Sequence, residues 1–231
     1  MPSPVPSVAV ATALVLCGGG SRRMGSDKTT ATLGGATVLD HLLDGLPADW
    51  PLVVVGPERP TRRAVRWTRE SPAGGGPVAA VAAGLSLVET DLVVVLAGDM
   101  PFAADTAGTL ATALRDDSTT DAVVGVDAGG RPNPLLAAYR TASVREALPD
   151  PPADAPARSL LALAHTTVPV EDADALDVDT PEALAAARHR LATRRRSRSR
   201  NPGDPRPSSS TTCPTRCPGP VRWSSRWSPP G

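Results

Sequence analysis

Residues 14–28 read LVLCGGGSRRMGSDK, and this stretch decides the fold. Its apolar start is typical of a buried strand, and the glycines that follow allow a sharp turn in which a ligand lies against the main chain. Amides exposed in such a turn form a nest for anions, and Arg23 and Lys28 add positive charge. The stretch therefore predicts a strand that ends in a phosphate-binding turn.

Two common phosphate-binding loops do not match this turn. A Walker A loop requires Lys and then Ser or Thr after its last glycine, but Gly25 is followed by Ser26 and Asp27. The dinucleotide fingerprint that starts at Gly18 requires a third glycine at position 23, where Arg23 stands. The alternative without a ligand is a glycine-rich turn with a solvated basic rim.

The pattern from Leu16 to Lys28 is Leu-x-Gly-Gly-x-Ser-x-Arg-Met-Gly-x-Asp-Lys. It resembles the signature of the MobA-like nucleotidyltransferases, above all the molybdenum cofactor guanylyltransferases. Every fixed position is filled, and the departure is Cys17, where the family usually has another small residue, alanine. Relatives that use CTP usually read Leu-Ala-Ala-Gly here, so the resemblance implies guanine from Gly18 and Gly19.

The composition excludes several classes of protein. Lys and Arg together number 24 and so do Asp and Glu, so the formal net charge of zero argues against a dedicated nucleic-acid binder. Aromatic residues make up 3% of the chain, which is too few for a platform that stacks bases. No stretch has the length that a membrane span requires, and no basic residue precedes Arg22 as a secretion signal would need. We expect a cytoplasmic protein.

Apolar strands and helices alternate along the chain. This alternation predicts an α/β fold, namely a Rossmann-like, doubly wound, mostly parallel sheet with helices on both faces, in a single domain. We expect that domain over residues 11–192, between a disordered N-terminus (1–10) and a basic, disordered tail rich in Pro, Ser and Arg (193–231). Ligands of such sheets bind beyond the carboxyl ends of the strands.

The predicted strand 92–97 ends in Gly-Asp-Met-Pro. Asp99 then lies on the same rim as the glycine turn, where Mg²⁺ bound to a triphosphate would find a carboxylate ligand. The alternative is that Asp99 caps the next helix, which is predicted to start near residue 103. The resemblance covers this segment and implies that Asp99 binds the metal.

Two further positions are assigned to the nucleotide by resemblance. Glu70 precedes the glycine-rich loop 74–76 and corresponds to an acidic residue that contacts the nucleotide in the family. The family's asparagine after the second strand is replaced by Gly56, so a contact there has to come from the backbone.

Arg131 and Asp179 are the candidates for the acceptor site. Arg131 belongs to the segment on which the family places its acceptor, and the alternative is a hairpin with a solvated arginine. Asp179 belongs to an Asp-Val-Asp-Thr-Pro-Glu segment in which Thr180 fits a helix N-cap and Pro181 the first helical position. Helix capping does not explain Asp179, which is either a second metal or nucleotide ligand or a solvated carboxylate.

The resemblance implies an enzyme that transfers GMP from GTP to the phosphate of a molybdopterin-type molybdenum cofactor, depends on Mg²⁺ and releases pyrophosphate. Molybdoenzymes or cofactor-delivery proteins would be its further partners. Open alternatives are a CTP-dependent relative, a phospholactate or sugar-phosphate acceptor, and an inactive NTP-binding protein. The predicted catalytic residues are Arg23, Lys28 and Asp99, the nucleotide-binding residues are Leu16, Cys17, Gly18, Gly19, Lys28, Gly56, Glu70 and Asp99, the acceptor-binding residues are Arg131 and Asp179, and the metal ligand is Asp99.

Overall fold

The apolar run that precedes the glycines forms a fully buried strand, β1 (Thr12–Leu16). The structure is a computed structural model that describes residues 10–18, 28–172 and 174–199, with side chains through residue 194. The N-terminal segment 1–9 and the tail 200–231, for which we predict disorder, lie outside the described residues.

The described residues alternate strands and helices as the sequence predicts. The further strands are β2 (Thr32–Leu33), β3 (Ala36–Thr37), β4 (Leu52–Val55), β5 (Arg66–Thr68), β6 (Leu92–Ala97), β7 (Ala122–Val126), β8 (Pro132–Arg140) and β9 (His165–Pro169). The α-helices are α1 (Val38–Gly45), α2 (Gly76–Leu85), α3 (Ala104–Asp116), α4 (Thr141–Ala147) and α5 (Pro181–Ser199), and Lys28–Thr30 and Ala157–Ala162 form short 3₁₀ helices.

The described strands form a seven-stranded sheet in the order β5-β4-β1-β6-β8-β7-β9, beside a small β2–β3 hairpin. Strand β1 pairs in parallel with β4 and β6, and β4 pairs in parallel with β5. Strand β8 runs antiparallel to β6 and β7, while β9 is again parallel to β7. The prediction of a mostly parallel, doubly wound α/β sheet is confirmed.

Both faces of the sheet are covered, because side chains alternate between them along each strand. Ala13 and Val15 of β1 join the cluster that contains most of the buried apolar residues of α1 and α3. Leu14 and Leu16 join the cluster on the opposite face, which contains the buried residues of α2. Strand β1 is therefore covered on both faces in the middle of the sheet. Its main chain can contact a ligand only at the end of the strand.

The sequence does not predict the β2–β3 hairpin, whose strands are two residues long and too short for a hydrophobic period. Gly34 and Gly35 form its turn, with φ of +59° and +93°.

Helix α5 extends beyond the predicted domain boundary at residue 192 and is described as far as Ser199. Arginine is a good helix former, and the first proline after the helix is Pro202. No described helix has the length and apolar character needed to cross a membrane.

Candidate active site

The carboxyl ends of β1, β4 and β6 meet at one edge of the sheet. The Cys17 N–H donates to the Val55 carbonyl at 2.7 Å, and the Gly98 N–H donates to the Leu16 carbonyl at 2.9 Å. The side chains of Leu16 and Cys17 are buried, whereas Gly18 is exposed. Leu16 and Cys17 can therefore offer only main-chain groups to a ligand at this edge.

Gly56 lies directly against this turn. A Cβ atom at Gly56 would stand 2.9 Å from the Cys17 carbonyl carbon and oxygen, and φ at Gly56 is +148°. The Gly56 N–H donates to the Thr68 carbonyl at 2.9 Å. The position thus requires glycine.

Lys28 brings together two carboxylates from distant parts of the chain. It opens the 3₁₀ helix Lys28–Thr30, and its Nζ donates a hydrogen bond to Asp179 and lies 3.7 Å from Asp99 Oδ2. The side chains of Lys28 and Asp99 are 19% and 23% exposed, so most of their surface is shielded from water. One cation therefore already occupies the space between the two carboxylates.

The charges at this edge perturb one another. Burial alone lowers the pKa of Lys28, but the hydrogen bond to Asp179 and the charges of Asp179, Asp99 and Asp177 outweigh burial and raise it. Burial raises the pKa of Asp99; the ammonium of Lys28 opposes that change and the carboxylate of Asp179 reinforces it. Burial, Asp99 and Asp179 together raise the pKa of Asp177 to about 6. Among the described residues, this cluster places three carboxylates, of Asp99, Asp177 and Asp179, around the one ammonium of Lys28, and such an excess of negative charge favours binding of a further cation.

Asp99 does not cap the following helix. Helix α3 begins at Ala104, and Ala103 occupies the N-cap position without a side-chain hydrogen bond. The main-chain carbonyl of Asp99 accepts a hydrogen bond from the Val178 N–H at 2.9 Å. The capping alternative is therefore wrong, and the carboxylate faces Lys28 instead.

Thr180 does act as the predicted N-cap of α5, since its hydroxyl accepts a hydrogen bond from the Ala183 N–H at 3.1 Å.

Glu70 reaches the exposed glycine of the turn. A Cβ atom at Gly18 would lie 3.4 Å from Glu70 Oε1, and the same oxygen accepts from the Gly74 N–H at 3.2 Å. The structure thus brings together Gly18, Gly56 and Glu70 with Lys28, Asp99 and Asp179 along one rim. Gly19 and Arg23, also predicted for this rim, lie outside the described residues.

Arg131 lines a cavity of about 220 Å³. Val126, Leu136 and Val170 give the cavity apolar walls, and its polar lining includes Asp127, Asn133, Arg131 and Asp177. The Arg131 guanidinium donates to Asp127 Oδ2, with Nε at 3.0 Å and Nη2 at 2.9 Å. Asp177 lines the cavity and also belongs to the charge cluster, so the two features adjoin.

Sequence reasoning missed Arg59, which contacts Thr29, the residue after Lys28. Its Nη1 donates to the Thr29 hydroxyl at 2.7 Å, its Nε donates to the Pro57 carbonyl at 3.1 Å, and its guanidinium lies 5.7 Å from the centre of the Trp67 ring. These contacts tie the segment that carries Lys28 to the sheet. An arginine in a proline-rich turn gives no signal of such a contact in the sequence.

Comparisons with known proteins give a family and several relatives. A family model described as the MobA-like NTP transferase domain matches residues 13–197. A probable molybdenum cofactor guanylyltransferase from Bacillus cereus (strain AH820) is 30% identical over 134 residues, which cover 54% of this chain and 66% of that protein. A relative with the same description from Bacillus thuringiensis (strain Al Hakam) matches to the same extent. The match thus spans slightly less than two thirds of these relatives.

Solved structures share the fold. Molybdopterin-guanine dinucleotide biosynthesis protein A from Archaeoglobus fulgidus superposes with a TM-score of 0.64 at 23% identity, over 79% of this chain and 99% of that one. The 2-C-methyl-D-erythritol 4-phosphate cytidylyltransferase from Thermus thermophilus gives a TM-score of 0.59 at 22% identity, over 78% and 98%. At these identities the likeness establishes the fold alone.

Proposed function

The chain belongs to the family of MobA-like NTP transferase domains, and from this membership we propose that it transfers GMP from GTP to the phosphate of a molybdopterin-type acceptor and releases pyrophosphate. The names of the curated relatives, probable molybdenum cofactor guanylyltransferases, support both substrates. The Gly18-Gly19 pair, which resembles the guanine-using branch of the family, supports the choice of GTP.

One observation carries the proposal: Lys28 contacts both Asp99 and Asp179 at the carboxyl edge of the sheet, the edge at which β1 ends in the exposed Gly18. Such an ammonium neutralises a triphosphate and the charge that develops on the departing pyrophosphate. Main-chain amides in a glycine turn add to the same effect. The predicted contributions of Gly19 and Arg23 would complete this electropositive side.

Mg²⁺ fits the acidic side of the site. It takes oxygen ligands and is often held by one or two carboxylates plus substrate phosphates. Asp99 and Asp179 both contact a single nitrogen, Lys28 Nζ, so they lie close enough to serve one cation. In the described residues no group of three or more His, Cys, Asp or Glu side chains could hold a metal ion. Mg²⁺ would therefore need phosphate oxygens and water in addition to Asp99 and Asp179. When bound, Mg²⁺ would supply charge neutralisation on the phosphates.

The chemistry requires no general base, because the acceptor phosphate is already an anion. One of its oxygens forms a bond to the α-phosphorus of GTP, the bond from that phosphorus to the bridging oxygen breaks, and pyrophosphate leaves with the electron pair. Lys28 would exchange its hydrogen bond with Asp179 for one with the triphosphate. Glu70 and the Gly56 carbonyl would contact the nucleoside at the opposite end of the rim.

The cavity beside Asp177 is our candidate for the acceptor site. Its apolar walls suit a ring system, and its polar rim suits a substituted heterocycle with a phosphate. Arg131 would release Asp127 to pair with that phosphate, since guanidinium binds phosphate in a bidentate manner. Transfer of the product to molybdoenzymes or delivery proteins, and the cytoplasmic location, remain predictions.

Calorimetric titration of the protein with GTP, CTP, ATP and UTP in the presence of Mg²⁺ tests the proposal, with Asp99→Asn as the matched variant. We expect binding of GTP in preference to the other three, and loss of that binding in Asp99→Asn. A preference for CTP would assign the chain to a cytidylyltransferase activity. Absence of binding to all four by folded protein would contradict the enzyme and favour an inactive member.

A further inference from the structure

Lys28, Asp99 and Asp179 come from three separate segments, and each is close in sequence to a member of one small apolar cluster. Leu33 follows Lys28, Phe102 follows Asp99, and Val178 directly precedes Asp179. We call this the α5 cluster; its buried members are Leu33, Val38, Phe102, Val178 and Ala187, and Leu176, Leu184 and Leu191 pack against them. Helix α5 therefore covers the region where the three segments meet.

Arg190 of α5 joins two of these segments. Its guanidinium lies 5.1 Å from the centre of the Phe102 ring, and its Nη2 donates to Asp174 Oδ1 at 2.6 Å. The side chains of Arg190 and Asp174 are 20% and 14% exposed, so water screens this ion pair only weakly. Phe102 follows Asp99 by three positions and Asp174 precedes Asp177 by three. One guanidinium thus bridges the chain after Asp99 and the chain before Asp179.

A main-chain hydrogen bond completes the connection. The Val178 N–H donates to the Asp99 carbonyl at 2.9 Å, between the two carboxylates that face Lys28. We propose that Arg190 is a positioning residue: by holding the Phe102 and Asp174 segments together, it maintains this hydrogen bond and keeps Asp99 and Asp179 directed at one cation. The catalytic consequence rests on the function proposed above, whereas the bridge itself is a property of the folded chain.

Arginine suits this position better than lysine. A planar guanidinium stacks on an aromatic ring and donates to a carboxylate at the same time, while an ammonium does not match that geometry. Arg194 makes similar contacts, 5.4 Å from the centre of the Phe102 ring and 3.2 Å from Asp174 Oδ1, but it is 41% exposed. Loss of Arg190 therefore weakens the bridge without removing every contact of it.

The chain offers a matched control on the same helix. Arg188 donates to the Thr32 carbonyl, with Nη2 at 3.0 Å, a contact that involves neither Phe102 nor Asp174. Arg188→Met and Arg190→Met make the same chemical change and keep an apolar stem. A general loss of helix charge would affect both variants, and loss of the bridge would affect Arg190→Met alone.

The test uses the full chain and two measurements. Amide hydrogen exchange of the free protein, well below its melting temperature, measures how often the hydrogen bond of the Val178 N–H opens. Titration with Mn²⁺ in the presence of GTP measures the affinity of the cation site. We expect Arg190→Met to accelerate Val178 exchange about tenfold and weaken Mn²⁺ binding about tenfold, as loss of one cation–π and charged contact would. Arg188→Met should change neither by more than about twofold, and Arg190→Lys should fall between wild type and Arg190→Met.

Each outcome decides the proposal. If the exchange rate of the Val178 N–H is unchanged in Arg190→Met, the proposed bridge is refuted, whatever the enzymatic activity of the variant. Faster exchange with unchanged Mn²⁺ binding, or equal effects of the Arg188 and Arg190 variants, reduces Arg190 to a general structural role and overturns positioning. If wild type binds no Mn²⁺ with GTP, the proposed function fails along with the catalytic role of Arg190, and Val178 exchange alone then confirms or refutes the bridge.

Discussion

The Lys28 ammonium donates a hydrogen bond to the Asp179 carboxylate across 151 positions of sequence. Lys28 follows the glycine turn after β1, and Asp179 precedes α5, which closes the described part of the chain. The same ammonium lies 3.7 Å from Asp99, at the end of β6. The site therefore assembles only when both ends of the domain have folded onto the sheet.

Removal of the ammonium should abolish turnover while preserving the fold. We expect Lys28→Ala to lower kcat for pyrophosphate release by about 100-fold or more, because a preorganised positive charge near the developing negative charge is lost. Lys28→Arg, which retains the charge, is the control and should keep more activity. Turnover of Lys28→Ala within about threefold of wild type would contradict a role for Lys28 in transfer.

The two carboxylates that contact Lys28 should differ in their effect on cation binding. Asp99 is 23% exposed and Asp179 is 48% exposed, and a less solvated carboxylate interacts more strongly with a cation. We expect Asp99→Asn to abolish Mn²⁺-dependent GTP binding in calorimetry and Asp179→Asn to weaken it about tenfold. Asp105→Asn, at a surface carboxylate that is 80% exposed, is the control. The reverse order for Asp99 and Asp179 would refute the assignment of Asp99 as the principal ligand.

The sequence predicts the fold well because its strands are unusually apolar. Strand β6 matches its predicted bounds, since the run Leu92–Ala97 is buried on both faces and is flanked by polar residues. The hairpin β2–β3 escapes prediction, because its pairing depends on packing under α5 rather than on its own period. The long strand β8 begins at Pro132 and pairs with β7 through an irregular register, which no pattern in the sequence predicts.

The site is predictable in its residue types and less so in its contacts. A glycine turn and an aspartate after buried strands must meet at one sheet edge, so the neighbourhood of Gly18 and Asp99 follows from topology. The ion pair of Lys28 with Asp179, the bridge by Arg190 and the tie from Arg59 to Thr29 join segments far apart in sequence. Local patterns carry no information on such pairs, because only the packed structure brings them together.

Gly56 should be more sensitive to substitution than another glycine with positive φ. Gly56→Ala places a Cβ 2.9 Å from the Cys17 main chain, whereas a Cβ at Gly35 meets nothing within 4 Å. Both glycines have positive φ, which disfavours alanine at either position. The difference in stability between the two variants therefore measures the effect of the close contact with Cys17. We expect Gly56→Ala to cost about 1–3 kcal/mol more unfolding free energy than Gly35→Ala in urea denaturation, and to weaken GTP binding. Equal losses for both variants would show that the contact with Cys17 is easily relieved.

Asp40 should make stability depend on pH in the acid range. Its Oδ2 accepts from the Thr37 hydroxyl at 2.8 Å and its Oδ1 accepts from the Arg62 N–H at 2.9 Å. Burial raises the pKa of Asp40, but these hydrogen bonds outweigh burial, so the pKa in the folded protein lies below the ordinary 3.8. The folded state then favours the carboxylate. The resulting stability is fully present above the unfolded pKa and is lost as pH falls through the lower folded pKa.

Thermal denaturation of wild type and Asp40→Asn between pH 3 and pH 8 measures this contribution. Asparagine keeps the shape but loses the charge, so we expect a lower Tm for Asp40→Asn at pH 7, by an amount equivalent to about 1–2 kcal/mol. The difference from wild type should shrink as pH falls below about 4, because the aspartate of the unfolded chain then takes up a proton while the folded protein keeps the carboxylate until a lower pH. Asp44→Asn, which removes a carboxylate paired with Arg62 at the surface, should lower Tm much less at pH 7. If the Tm difference between Asp40→Asn and wild type instead stays constant from pH 3 to pH 8, the charge of the Asp40 carboxylate does not stabilise the folded protein.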